Sequence, residues 1–164
     1  MREIVINTGP LISLVAATDS LAILTLLYGK VWVPHEVHQE IAAGGTEAPE
    51  LKALYSANKT ITICQSPLSS LSKSLINQLD LGEASVIQTA LNQNLTTVAI
   101  DETAGRAVAR LHGLQVTGSL GILLRAKTEG HITSLSHCIQ KMRYHGIWIS
   151  NALEKHVLTN ANES

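Results

Sequence analysis

Short apolar runs alternate along the chain with longer segments whose apolar residues recur every three or four positions. Glu3–Ile6 (EIVI), Val31–Val33 (VWV), Ile61–Ile63 (ITI), Thr97–Ile100 (TVAI) and Gln115–Thr117 (QVT) are brief and continuous, which predicts five strands. Between them lie helical patterns. Pro10 suits a helix's first turn and leads into LISLVAA. Asp19 is expected to cap a helix over Ser20–Leu27 that stops near Gly29. Pro34 opens HEVHQEIAA, closed by Gly44-Gly45. Leu81–Asn92, Thr103–Leu111 and Ser119–Lys127 read as further helices, the last behind a tight TGSLG turn with Ser119 as cap. From about Ser134 the pattern is only helical. KMRYHG ends one helix there, and Ser150 or Asn151 caps the last, with Glu154 completing an N-x-x-E box behind Asn151. Strands alternating with helices through short links predict an α/β domain over residues 1–164. Its parallel sheet is covered by helices on both faces, and residues from about 134 to 164 form a helical C-terminal extension.

Composition narrows the class. With 45% hydrophobic and 15% charged residues in 164, a substantial core is expected. No apolar run is long enough to span a bilayer and MREIVINTGP lacks the features of a signal peptide, so the expectation is a cytoplasmic protein with no membrane partner. Net charge is −1, so a nucleic-acid partner needs local features rather than a basic field. Phe is absent and aromatics make up 3%, which argues against base-stacking platforms. Cys64 and Cys138 have no CxxC spacing and read as two buried thiols. His35 and His38 are three apart, not the four of a zinc HExxH helix. Leu11, Leu14, Leu21, Leu24 and Leu27 have helical spacing that suits a core or a dimer face.

Candidate chemistry follows from where polar residues meet strand ends. Sites in open parallel sheets lie beyond the carboxyl ends of the strands. Asn7 and Thr8 follow the first strand, and Asp101 and Glu102 follow the fourth. A helix antiparallel to the strand it feeds starts near the same edge, which brings Glu83 beside Asp101. Glu40 lies in the helix after the second strand. Converging acids repel one another in a partly buried pocket, and a hard cation such as Mg²⁺ or Mn²⁺ resolves that repulsion. Taken singly, each acid is better read as a solvated cap or turn residue, and it is together that they point to a cation. Arg106 and Arg110, one turn apart on the following helix, are placed either to meet backbone phosphates or to face solvent.

The blocks VINTGPLISL, VWVPHEVHQEI, LDLGEASVI, IDETAGR and VTGSLGILLRAK, in that order, resemble the PIN-like nuclease superfamily. They are most similar to its stand-alone branch grouped as a domain of unknown function, kin to VapC-type toxins. The resemblance runs from Ile4 to about Leu158. It implies a three-layer α/β/α fold and a metal-dependent endoribonuclease using Mg²⁺ or Mn²⁺. Glu40, Glu83 and Asp101 match the acidic metal-binding and catalytic positions, and Glu102 matches a further acidic position. Asn7 stands where the family usually has an aspartate. Thr8 matches the small hydroxyl residue beside it and, with Arg106, is assigned to substrate. The implied partners are an RNA substrate, a small antitoxin and a second copy in a homodimer. The competing expectation, kept alive by Asn7, is a weakly active or inactive binding or assembly module. A phosphoacceptor receiver domain would want paired acids after strand one and a Lys after strand five. Those places read Asn7-Thr8 and Thr117-Gly118, so that reading is set aside.

Overall fold

The computed structural model describes residues 1–44, 49–65 and 70–163, with backbone alone for 49 and 70–72. The chain starts with β1 (Glu3–Ile6), whose Ile4, Val5 and Ile6 are fully buried because helices cover both faces. Asn7 is the N-cap of α1 (Thr8–Thr18), and Pro10 stands in the first turn as its missing N–H allows. Asp19 closes α1 in the left-handed conformation (φ 58°), its N–H donating to Val15 O at 2.8 Å. It therefore ends one helix rather than beginning the next. Helix α2 covers Ala22–Leu27, later than expected from the sequence, and the Ser20 hydroxyl accepts from the Ala22 N–H. Strand β2 (Lys30–Pro34) leads into α3 (His35–Ala43), which Gly44 ends; Gly45 lies outside the described residues.

Two helices escaped the sequence reading, α4 (Pro49–Ala57) and α5 (Ser70–Ile76), on either side of β3 (Ile61–Cys64). Both are short, nine and seven residues, which leaves few turns for an apolar period to show. Helix α6 (Leu81–Asn92) starts at Asp80, whose carboxylate accepts from the Glu83 N–H at 2.8 Å. Then come β4 (Thr97–Ala99), α7 (Thr103–Leu111), β5 (Gln115–Thr117) and α8 (Ser119–Thr128). Gly118, not Ser119, is the N-cap of α8. Helices α9 (Leu135–Tyr144) and α10 (Asn151–Asn160) complete the chain. Ser150 rather than Asn151 caps α10, its hydroxyl accepting from the Leu153 N–H, so no N-x-x-E box forms. Glu154 is instead paired with Arg143 at 2.6 Å.

All five strands are parallel, in the order β3-β2-β1-β4-β5. Helix α6 packs on β1, β2 and β4 with α3, α5 and α7 beside it, while α1, α8, α9 and α10 pack together. This is the expected three-layer α/β/α arrangement. The C-terminal helices share the main core through Leu135, Ile139, Met142 and Val157. Leu11, Leu14, Leu21, Leu24 and Leu27 are all consumed by that core, which removes them as an apolar dimer face. Cys138 is buried but Cys64, on an edge strand, is only half-buried; both are free thiols. Among the described residues no helix is long and apolar enough to cross a membrane.

Candidate functional site

The strand order creates the site's location. The chain runs outward from β1 through β2 to β3, then returns to the other side of β1 for β4 and β5. The crossovers from β1 and β4 therefore part company, opening a crevice at the carboxyl ends of those two strands. The Asn7 N–H donates to Ala99 O at 3.1 Å, tying the two strand ends together. Asp101 lies two residues beyond Ala99, and Glu102 is the N-cap of α7.

Around that crevice the side chains form two groups. In the first, the Thr8 hydroxyl donates to Glu40 Oε2 at 2.8 Å. A Cβ at Gly82 would overlap Glu40 Oε1 and stand 3.3 Å from Asn7 Oδ1, so α6 offers bare backbone to this group. In the second, Asp101 Oδ1 accepts from the Ser119 N–H at 2.7 Å and the Ser119 hydroxyl at 3.2 Å. A Cβ at Gly118 would stand 2.6 Å from that oxygen and 2.9 Å from Arg106 Nη1. Asp101 Oδ2 turns the other way, 3.9 Å from where a Cβ on Gly9 of α1 would be. Glu83 packs against Gly105 of α7, whose Cβ would lie 3.3 Å from the carboxyl carbon. As the side chains lie, no three of His, Cys, Asp or Glu among the described residues stand close enough to hold one ion. His38 is engaged elsewhere, with the Tyr55 hydroxyl 2.8 Å from Nδ1.

Glu83 is the chemically unusual member. Its residue is 5% exposed, and its carboxylate accepts a backbone hydrogen bond from Asp80. Burial raises its pKa, and the nearby charges of Asp80, Glu102 and Glu40 add to the rise, against the backbone bond it makes with Asp80. Asn7 is likewise buried, and among the described residues its side chain makes no cap hydrogen bond. A buried carboxylate with other acids nearby suits a ligand that brings its own positive charge. The donor set, carboxylate and carboxamide oxygens, fits a hard divalent cation such as Mg²⁺ or Mn²⁺.

Arg106 departs from its expected place. Nη1 donates to Ile100 O at 2.9 Å and the side chain is half-buried, so it braces the end of β4 rather than reaching outward. Burial lowers its pKa, with Arg110 adding to that and Asp101 opposing it. Arg110 is the exposed one of the pair.

The DUF3368 family, described as a PIN domain, matches residues 3–163 of this chain. The chain belongs to that family. No curated protein matches it. A PIN domain is a nuclease fold, and the acids of this chain lie in two groups around the crevice at the β1/β4 junction. The sequence reading missed three contributors to this PIN-domain site. Ser119 donates twice to Asp101, Asp80 caps the helix that carries Glu83, and Gly82 leaves space for Glu40. Asp80 was legible, since an Asp three residues before Glu83 is an N-cap signal. Ser119 was not, because its partner is eighteen residues away.

Proposed function

We propose that this PIN domain is a metal-dependent endoribonuclease that hydrolyses RNA phosphodiesters and acts as the toxin of a type II toxin–antitoxin pair. The observation that supports this reading is the Glu83 carboxylate, buried at the crevice with Asp80, Glu102 and Glu40 close enough to raise its pKa. Asn7, Glu40, Glu83 and Asp101 would hold Mg²⁺ or Mn²⁺, with Glu102 at the rim. Such an ion, when bound, supplies Lewis-acid polarisation of a phosphoryl oxygen and lowers the pKa of a coordinated water. Glu83, whose proton affinity is raised, suits the general-base role toward the attacking water. Thr8 orients Glu40 through its hydroxyl, and the exposed Arg110 replaces Arg106 as the side chain suited to a backbone phosphate. A small antitoxin, a homodimer and a cytoplasmic setting complete the reading.

A second reading, a weakly active binding or assembly module, draws on one feature. Asn7 supplies a neutral oxygen where an aspartate would add charge. One experiment separates the two. Asn7→Asp should tighten Mn²⁺ binding in calorimetry and raise RNA cleavage, and Asp101→Asn in that background should remove the gain. Equal affinity and cleavage before and after Asn7→Asp would put the module reading in front.

A further inference from the structure

We infer that Ser119 is the positioning residue for Asp101: it holds one carboxylate oxygen so that the other faces the site. The inference rests on the metal-site reading above. Three observations carry it. Asp101 Oδ1 takes both the N–H and the hydroxyl of Ser119, at 2.7 and 3.2 Å, so an exposed carboxylate is tied to a residue that is itself only 5% exposed. Gly118 leaves so little space beside Oδ1 that a side chain there would force the carboxylate to move. Oδ2 is turned toward Gly9, in the first turn of α1 behind Asn7 and Thr8. The carboxylate is thus fixed by its far oxygen and open at the near one.

The arrangement is built from an ordinary deficiency. The first N–H groups of a helix have no partner within it, and Gly118, the N-cap of α8, has no side chain to supply one. Asp101, from the end of β4, fills that role. Capping alone would be a structural matter, so the test needs a readout that capping does not move.

Ser119→Ala removes the hydroxyl and keeps the N–H. Ser119→Pro removes both donors at the first position of a helix, where proline is well accommodated. Gly118 (φ −127°, ψ −174°) already has the extended backbone that precedes proline. Ser119→Thr restores the hydroxyl. Mn²⁺ affinity is measured by calorimetry without RNA, in the natural chain and in the Asn7→Asp background, with thermal melting of the metal-free proteins alongside. Affinity should fall about 10-fold in Ser119→Ala and about 100-fold in Ser119→Pro, the range for residues that orient a ligand to a metal. Ser119→Thr should recover most of the loss, with cleavage losing kcat rather than gaining KM.

Mn²⁺ binding that Asp101→Asn abolishes but Ser119→Ala and Ser119→Pro leave unchanged would overturn the positioning role and spare the metal site. Mn²⁺ binding by neither the natural chain nor Asn7→Asp would overturn both. If Ser119→Pro does not fold, the Ala and Thr variants decide: loss in Ala without recovery in Thr assigns Ser119 to structure alone.

Discussion

Gly82→Ala should separate stability from site chemistry. The residue is the second of α6, and its missing side chain is what lets the Glu40 carboxylate lie against that helix. An added Cβ would overlap Glu40 Oε1, stand 3.3 Å from the Glu40 carboxyl carbon and 3.3 Å from Asn7 Oδ1. The carboxylate then has to withdraw by about 1 Å to regain ordinary contact, and it is the flexible end of its side chain that moves. Against this, alanine in a helix gains up to about 1 kcal/mol over glycine. Stretching the 2.8 Å Thr8–Glu40 hydrogen bond loses about 1 kcal/mol. The two terms nearly cancel, so the melting temperature should stay within about 3 °C. A 1 Å displacement of a group in the chemistry costs about 100-fold in rate. RNA cleavage in Mn²⁺ should therefore fall by about two orders of magnitude in a protein that melts normally. Unchanged cleavage with a normal melt would remove Glu40 from the site. A melt lowered by more than about 10 °C would instead make Gly82 a packing residue.

Other perturbations reach different parts of the molecule. Glu83→Gln should raise the melting temperature of the metal-free protein at neutral pH and abolish stabilisation by Mn²⁺. Its raised folded pKa means that stability falls as pH rises from the ordinary carboxylate range through that higher value, and the Gln variant should lose this slope. Burial pushes the Tyr55 phenol up to about 12, so stability present below about pH 10 should decline as pH rises from 10 to 12. Absorbance titration of Tyr55→Phe should lack the late phenolate step. Glu163→Ala should destabilise the protein by about 2 kcal/mol, read by urea denaturation. Its carboxylate accepts from Leu135 N–H at 2.7 Å, Ser136 N–H at 3.1 Å and the Ser134 hydroxyl at 3.2 Å, capping α9 from the far end of the chain. Burial would raise its pKa, but those bonds and Lys127 outweigh it and lower the value. The contribution should be present above the ordinary Glu range and lost as pH falls through the folded pKa.

The sequence by itself determined the five strands, the parallel α/β class and the edge at which the acids lie. Those depend on local pattern: apolar runs such as EIVI and TVAI, and polar residues where they stop. It also placed α6 and α7 correctly, since their apolar period is unbroken. Tertiary structure decided the rest. Asp19 looks like a helix cap in sequence, but the chain needs a left-handed residue to leave α1, and Asp tolerates that conformation. The leucines of α1 and α2 could have served a core or a surface, and only the packing of α1 against α8 and α9 assigns them to the core. Arg106 could have faced solvent or substrate, and the uncapped carbonyl of Ile100 claimed it. Asp101 was visible as an acid at a strand end, but which of its oxygens is free depends on Ser119. That pairing joins two strand ends brought together by the sheet, and no periodicity along the chain records it.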